Sequence, residues 1–541
     1  MDVLPFVALL LAGLLLPLFI LATTASRRRN NGRCLPPSPP GLPLLGHLPL
    51  LGSLPHRKLR ALAESHGPVM LLRLGRVPTV VASSSAAAQE AMKTRDLAFA
   101  SRAPSAMATK VLYGRDMVFA PYGEFWRQAR RVSVVHLLSP RRVQSFSFRR
   151  AREHEAATLL RRIHIHVNSS GVVNLSHLLI SYARGVISRA AFGDHDYELD
   201  GEDGGGKLRK VFEDFEELLG AGTVGEFVPW LAWVDTLTGL HARATRTFRA
   251  LDGLLDRVLA DHLATKRRRR LMVGDDDDHR QDFVDVLLDV KEAEEKAGGE
   301  VQFDTTAIKA IILDMFAASI DTTHTTLEWA MAELINHPHQ MRKLQTEIRG
   351  AVPAAVNNNN GSRSVVVTEE HLLENKHKLM PYLKCVIKET LRLHAPVPLL
   401  VPRETMEDTE LLGYHVPART RVVINAWAIG RDHATWGRDA DEFVPERFAA
   451  GEEYDIVGQQ DDFRFVPFGA GRRGCPGIGF AVPSIELALA TLLYHFDWEL
   501  PPPANTGGVA SSTLDMTELY GLSVRLKATL NLVAKPWSPS T

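Results

Sequence analysis

Residues 468–477 read Phe-Gly-Ala-Gly-Arg-Arg-Gly-Cys-Pro-Gly, and no other stretch constrains the fold of this 541-residue chain as tightly. Cys475 stands alone among turn-forming glycines and two arginines, Arg472 and Arg473, and Pro476 opens an apolar run with the pattern of a helix. Proline suits the first helical position, so the sulfur is expected at the positive end of the helix dipole. That dipole and both guanidiniums are expected to lower the thiol pKa, and the thiolate is the metal-binding form. Glycines on either side let a flat ligand approach the backbone closely. A lone cysteine is ordinarily a small buried side chain; this setting argues for a metal ligand.

Cys34, Cys385 and Cys475 are scattered, forming neither a disulfide framework nor a zinc-type cluster, and they point to a reducing compartment. With 63 basic and 63 acidic residues the formal charge is zero, so the overall charge carries no nucleic-acid footprint. Val3 to Ala22 is uncharged and, at about 1.5 Å per residue, makes about 30 Å of helix, enough to cross a bilayer core. A cleaved signal peptide is the competing reading. However, Asp2 stands where a basic start belongs, and the run exceeds an h-region of about 7–15 residues. Arg27, Arg28 and Arg29 follow, which keeps the rest of the chain cytosolic. The prolines of Leu35–Pro43 then read as a stiff spacer. Residues 1–25 are thus a membrane anchor, 26–45 a basic, Pro-rich hinge, and 46–541 one catalytic body.

Within that body, Leu71–Ala82 is rich in Val and Leu with partial alternation, giving strands with a turn near Gly75-Arg76. The remainder is mainly helical. Lys266–Arg270 followed by Asp275–Asp278, and Val352–Ser364 with its four asparagines, read as solvated loops. Length alone suggests three domains, but the motifs straddle both breaks. Thr305–Asn336 is a long helical pattern carrying Asp321-Thr322-Thr323 near its middle. Acid and hydroxyl residues there lack the helix propensity to serve stability; the plain reading is a Thr hydroxyl bonded one turn back, bending the helix. Trp126 and Arg130 lie one helical turn apart, as amphipathic packing would place them. Glu389 and Arg392 share a helix face, which by itself suggests a weak surface ion pair.

The cysteine loop resembles the haem-binding loop of the cytochrome P450 family, whose Phe-x-x-Gly-x-Arg-x-Cys-x-Gly pattern is met at Phe468, Gly471, Arg473, Cys475 and Gly477. The resemblance spans nearly the whole chain and is of the plant microsomal type. It implies a mainly α fold with a small β region, one large domain behind an N-terminal transmembrane helix. It makes Cys475 the axial thiolate of haem b (iron protoporphyrin IX), a ligand that favours O–O cleavage, with backbone N–H groups after the cysteine tuning the sulfur. Phe468 belongs to the same loop, and Trp126, Arg130, Arg473 and Arg403 are implied partners of the haem propionates, since guanidinium suits carboxylate. Asp321 and Thr322 are implied to deliver protons to dioxygen as general acids. Ser319 stands where the family has glycine, so its side chain either narrows the oxygen groove or joins the water network. Glu389, Arg392 and Arg447, in Pro445-Glu446-Arg447-Phe448, are implied to form a buried triad serving fold integrity.

Substrate contacts are implied at Ser101–Tyr122, the Ala317/Ala318/Thr322 face, Val397–Val401 and Leu519–Leu522. Their apolar character suits a lipophilic ligand, although Met107, Val111, Leu112 and Phe119 fit a core equally well. The implied reaction inserts one atom of O2 into a small lipophilic substrate of the plant specialised-metabolite kind. Electrons are implied to come from NADPH through a separate NADPH–cytochrome P450 reductase, since the glycine spacing at Gly469, Gly471 and Gly474 belongs to the cysteine loop rather than to a nucleotide-binding fingerprint of the chain's own. The implied location is the endoplasmic reticulum membrane, single-pass, with the body cytosolic. Two alternatives stay open: a haem-thiolate dehydratase or isomerase needing no external electrons, and a non-catalytic haem sensor.

Overall fold

A computed structural model describes residues 34–538 except 170, 194–196, 198–204, 273–280, 298–302, 353–366, 374–379, 450–461 and 503–512. The expected anchor Val3–Ala22 and Arg27–Arg29 lie outside the described residues. Eight helices position the site: α1 (Glu124–Val132), α2 (Phe146–Ser169), α3 (Leu175–Phe192), α4 (Gly205–Gly220), α5 (Leu240–Met272), α6 (Thr305–Asn336), α7 (Pro381–Leu393) and α8 (Ile478–His495). The β region holds one four-stranded sheet, β1 (Val69–Leu74), β2 (Val77–Ala82), β3 (Arg403–Glu404) and β4 (Arg421–Ile424), in the order β1-β2-β4-β3. A hairpin, β5 (Glu518–Tyr520) and β6 (Val524–Leu526), lies beside α6.

Helix α6 has the bounds its sequence pattern gives. Asp304 caps it, Oδ1 accepting the Ala307 N–H at 2.9 Å, which satisfies one of the free donors of the first turn. It is apolar nearly all round, as a core helix must be, and it is buried against α3 and α8. The β1–β2 hairpin is equally legible. Leu74 pairs with Val77, and Gly75 makes the turn at φ +58°. A Cβ at Gly75 would stand 2.0 Å from the Phe227 carbonyl oxygen, so only glycine fits.

Two expectations need correction. Lys266–Arg270 is not a loop; α5 runs through it to Met272. Lys and Arg are good helix formers, and Lys266 Nζ holds Asp289 at 2.5 Å and Glu292 at 2.9 Å, which offsets repulsion from its neighbours. Asp275–Asp278 and most of the asparagine segment lie outside the described residues. The described part of the Pro-rich stretch is not a free spacer either. Pro36 and Pro39 are buried, the Pro37 carbonyl accepts the Leu71 N–H at 2.8 Å, and the Pro39 carbonyl bonds His47 Nε2 at 2.8 Å. Proline has no N–H, but its carbonyl is still free to satisfy a strand edge. Finally, α8 is long and apolar enough to cross a membrane but is mostly buried inside the fold; it is a core helix.

Candidate active site

Helices α1, α6 and α8, the loop carrying Arg102 and strand β3 with Arg403 enclose one cavity of about 1460 Å³, mouth included. Cys475 and Phe468 come from the glycine loop, Trp126 and Arg130 from α1, and Ala318, Ser319 and Thr322 from α6. Every sequence-chosen cofactor residue, and Thr322, therefore meets the same space. Asp321 does not line it: the residue is 6% exposed and turned into the protein.

The loop holds Cys475 by its backbone, its N–H donating to the Phe468 carbonyl at 2.9 Å. The helix begins later than expected. Ile478 opens α8 with Gly477 as its N-cap at φ −91°, ψ 8°, so Pro476 lies ahead of the helix rather than in its first turn. Outside the helical geometry, the Gly477 N–H hydrogen-bonds the sulfur.

The expected electrostatics are also overturned. Cys475 has accessible area on the cavity side, but protein encloses it elsewhere, and this burial pushes the thiol pKa up. The Gly477 N–H and the Arg130 charge pull the other way. The flanking arginines act elsewhere. Arg472 Nη1 pairs with Asp96 Oδ2 at 2.7 Å. Arg473 donates to Ala100 O at 2.7 Å and Ala120 O at 2.8 Å and lies 4.1 Å above the Trp126 ring.

These arginines belong to a crowded cationic wall. Arg403 donates to Asp96 Oδ1 at 3.2 Å and Ala470 O at 2.8 Å, and Arg130 to Gly474 O at 2.7 Å. Sequence reasoning missed a fourth member, Arg102, which donates to Val118 O at 3.1 Å and Pro402 O at 3.0 Å. Its signal in the sequence was weak, because Arg102 shares the Ser101–Tyr122 segment with Lys110 and Arg115. Burial lowers the pKa of all four. Repulsion from Arg473 and Arg403 adds to it for Arg102, and repulsion from Arg403 helps bring Arg473 down to about 9. Such a wall is short of negative charge. With an apolar cavity and a desolvated sulfur, it fits a flat metal macrocycle bearing carboxylates.

On α6 the Thr322 hydroxyl donates to the Ala318 carbonyl at 2.6 Å, the back-bond of the plain reading, and the helix continues without a break. Ser319 faces the cavity beside it. Of the implied substrate segments, Met117, Val118, Ala318, Val397, Leu400 and Val401 reach the cavity. Met107, Val111 and Leu112 are core residues, and Leu519–Leu522 does not line the cavity.

The loop geometry makes a test available here. Gly471 sits at φ +67°, where a Cβ would stand 2.1 Å from the Met92 carbonyl and 2.7 Å from Asp96 Oδ1. Gly471→Ala is expected to cost about 1–3 kcal/mol of strain and to displace the Asp96–Arg403 contact. Thermal melting and bound-cofactor content should both fall, and a variant matching the parent in both would show that the loop is not held this way.

A sequence profile described as Cytochrome P450 matches residues 36–510. Among curated relatives, Cytochrome P450 71A1 of Persea americana is 46% identical, with 91% of each chain covered. Cytochrome P450 736A117 of Prunus mume is 45% identical over 93% of this chain and 90% of its own. Norfluorocurarine oxidase of Strychnos is 41% identical, with 93% of each covered. A zebra fish cytochrome P450 structure with progesterone shares the fold at TM-score 0.70 and 23% identity, over 89% of this chain and 99% of that one.

Proposed function

The chain belongs to the cytochrome P450 family and is a haem-thiolate monooxygenase, and from that premise we propose that Cys475 is the residue that would hold the iron of its haem b through a thiolate. The observation that carries this reading is the meeting of a desolvated cysteine with two buried arginines, Arg102 and Arg403, and two half-buried ones, Arg130 and Arg473, around one apolar cavity. Bound haem, given O2 and electrons that originate in NADPH, supplies the insertion chemistry, R–H becoming R–OH while the second oxygen atom leaves as water.

The protein's own residues bind, orient and deliver protons. Arg130, Arg403, Arg473 and Arg102 would neutralise the propionates, and Trp126, which donates to Met117 O at 2.9 Å, braces Arg473 from the ring side. The Gly477 N–H draws charge from the sulfur and stabilises the thiolate. Phe468 lines the cavity beside Cys475 and would give the macrocycle an apolar contact. Thr322 holds a proton at Oγ1 on the cavity surface, and Asp321, one residue earlier, is the acid that replaces it. Val397, Leu400 and Val118 give substrate an apolar wall, which selects a small lipophilic molecule over a charged one. Relatives named as cytochromes P450 and as an oxidase favour oxygen insertion over electron-free rearrangement or haem sensing, and favour a plant specialised metabolite as substrate.

The electron donor in this proposal is a membrane NADPH–cytochrome P450 reductase. Val3–Ala22 anchors the chain in the endoplasmic reticulum with residues 46–541 on the cytosolic side. The test is reconstitution in microsomes with that reductase and a panel of lipophilic compounds under isotopically labelled O2. One labelled oxygen atom per product molecule, dependent on NADPH, is the expected result. Turnover that proceeds without NADPH and leaves the label behind would establish a rearrangement instead.

A further inference from the structure

We propose that Asp314 is a positioning residue for selectivity: it pins the 116–120 turn to α6 and thereby sets the wall that decides which lipophilic molecules reach the iron. The proposal rests on the haem reading above and goes beyond it. Asp314 lies two helical turns before Thr322 on α6, is 3% exposed and borders the cavity. It is the one acid among the described residues that line that space. Its Oδ2 accepts the Met117 N–H at 2.6 Å. Burial and the Asp116 charge raise its pKa, and the N–H groups of Met117 and Val118 oppose the rise. Burying a carboxylate is costly unless hydrogen bonds to the charged form offset it. An apolar side chain would line the cavity without that cost, so the acid is explained by the turn it holds.

That turn is gripped along both edges. On its N–H edge, Asp116 Oδ1 accepts the Phe119 N–H and closes the turn on itself, while Asp314 ties it to α6. On its carbonyl edge, Met117 O accepts Trp126 Nε1 at 2.9 Å and Arg473 Nη1 at 3.4 Å. Val118 O accepts Arg102 Nε at 3.1 Å, and Ala120 O accepts Arg473 Nη2 at 2.8 Å. Met117 and Val118 themselves line the cavity. Their backbone thus joins α6 to the cationic wall, and their side chains shape the space between. Ala318 and Thr322, one and two turns beyond Asp314, border the same space, so the turn is held in register with the helix face that carries Thr322. A turn bonded on both edges cannot drift without breaking several bonds, and a bound molecule therefore meets a fixed wall. Asp314 acts through the turn and not on the reacting atoms.

The test uses the full-length, haem-loaded enzyme and compares Asp314→Leu with Asp314→Asn, which keeps one acceptor oxygen but no charge. Asp314→Ala takes the place of Asp314→Leu if the larger side chain prevents haem loading. Hydrogen exchange of the 116–120 amides, followed by mass spectrometry, should quicken about tenfold or more in Asp314→Leu, as loss of a charge-assisted bond implies. Imidazole and 4-phenylimidazole both coordinate haem iron and shift the Soret band, but the phenyl ring needs room in the cavity that imidazole does not. The dissociation constant of 4-phenylimidazole should rise about tenfold in Asp314→Leu, the low end for a misfit in an apolar pocket. That of imidazole should stay unchanged, and Asp314→Asn should lie between parent and Asp314→Leu in both measurements. Faster exchange with an unchanged ratio of the two constants would mean that the turn is pinned without setting the wall, and would overturn the proposal. Parent-like exchange in Asp314→Leu would overturn it as well, and so would equal weakening of both ligands, the mark of general damage. A parent lacking the thiolate Soret band would instead fell the haem reading, and the exchange comparison would still decide whether Asp314 holds the turn.

Discussion

Thr322→Ala is expected to bind haem and substrate normally while product formation falls about 10²–10⁴-fold, the usual contribution of a general acid. NADPH consumption should drop far less, with hydrogen peroxide making up the difference. The reasoning starts from the helix. Thr322 sits mid-α6 with its hydroxyl bonded to the Ala318 carbonyl at 2.6 Å and facing the cavity. Alanine is the better helix former, so the substitution removes the hydroxyl without weakening the scaffold. Ser319→Gly separates the two roles left open for the serine, which also faces the cavity. Coupling rises if its side chain obstructs oxygen and falls if its hydroxyl joins the water network. A product-to-peroxide ratio in Thr322→Ala equal to that of the parent would take Thr322 out of the reaction.

A second large effect is expected away from the cavity. Glu389 is fully buried and accepts from Arg392 Nε at 2.6 Å and Nη2 at 2.8 Å, from Arg447 Nε at 2.9 Å and from the Val444 N–H at 2.8 Å. Arg392 spends its other donors on the carbonyls of Gly430, Ala440 and Glu442. The pair is therefore no surface bridge. Glu389→Ala leaves the Arg392 guanidinium buried without a counter-charge, while Arg447 keeps Asp439 at 3.2 Å; stranding one buried partner costs about 3–5 kcal/mol against a total stability of about 5–15 kcal/mol. Melting temperature and recoverable haem-bound protein should fall sharply, and Glu389→Gln, which keeps the shape but not the charge, should lie between. Parent-like melting in Glu389→Ala would show that the triad does not hold the fold together.

What the sequence made legible follows from range. The α6 bounds and the β1–β2 turn are set by neighbours a few residues away, a cap at Asp304 and a left-handed Gly75. The cysteine loop was readable for the same reason. Partners distant in sequence were not. Arg472 and Arg473 sit beside Cys475 in the chain, yet Asp96, Ala100 and Ala120 claim them. Their charge was thus assigned to the sulfur wrongly. Arg102 hid in a loop credited to substrate because its neighbours along the cavity wall, Arg403 and Arg473, lie some three hundred or more positions onward. The 266–270 charge run looked like a loop until the acids of Phe283–Ala297 were seen beside it.

The central claim is that Cys475 supplies the thiolate. Neither of the other cysteines lines the cavity: Cys385 is buried on α7 with burial raising its pKa, and Cys34 is exposed at the start of the described chain. The decisive measurement is the absorption spectrum of the reduced, carbon monoxide-treated protein, parent against Cys475→His. The parent should show the red-shifted Soret band of a thiolate-ligated haem, and Cys475→His should lose that band together with monooxygenase activity. A red-shifted band that survives in Cys475→His would place the ligand on another residue and contradict the account.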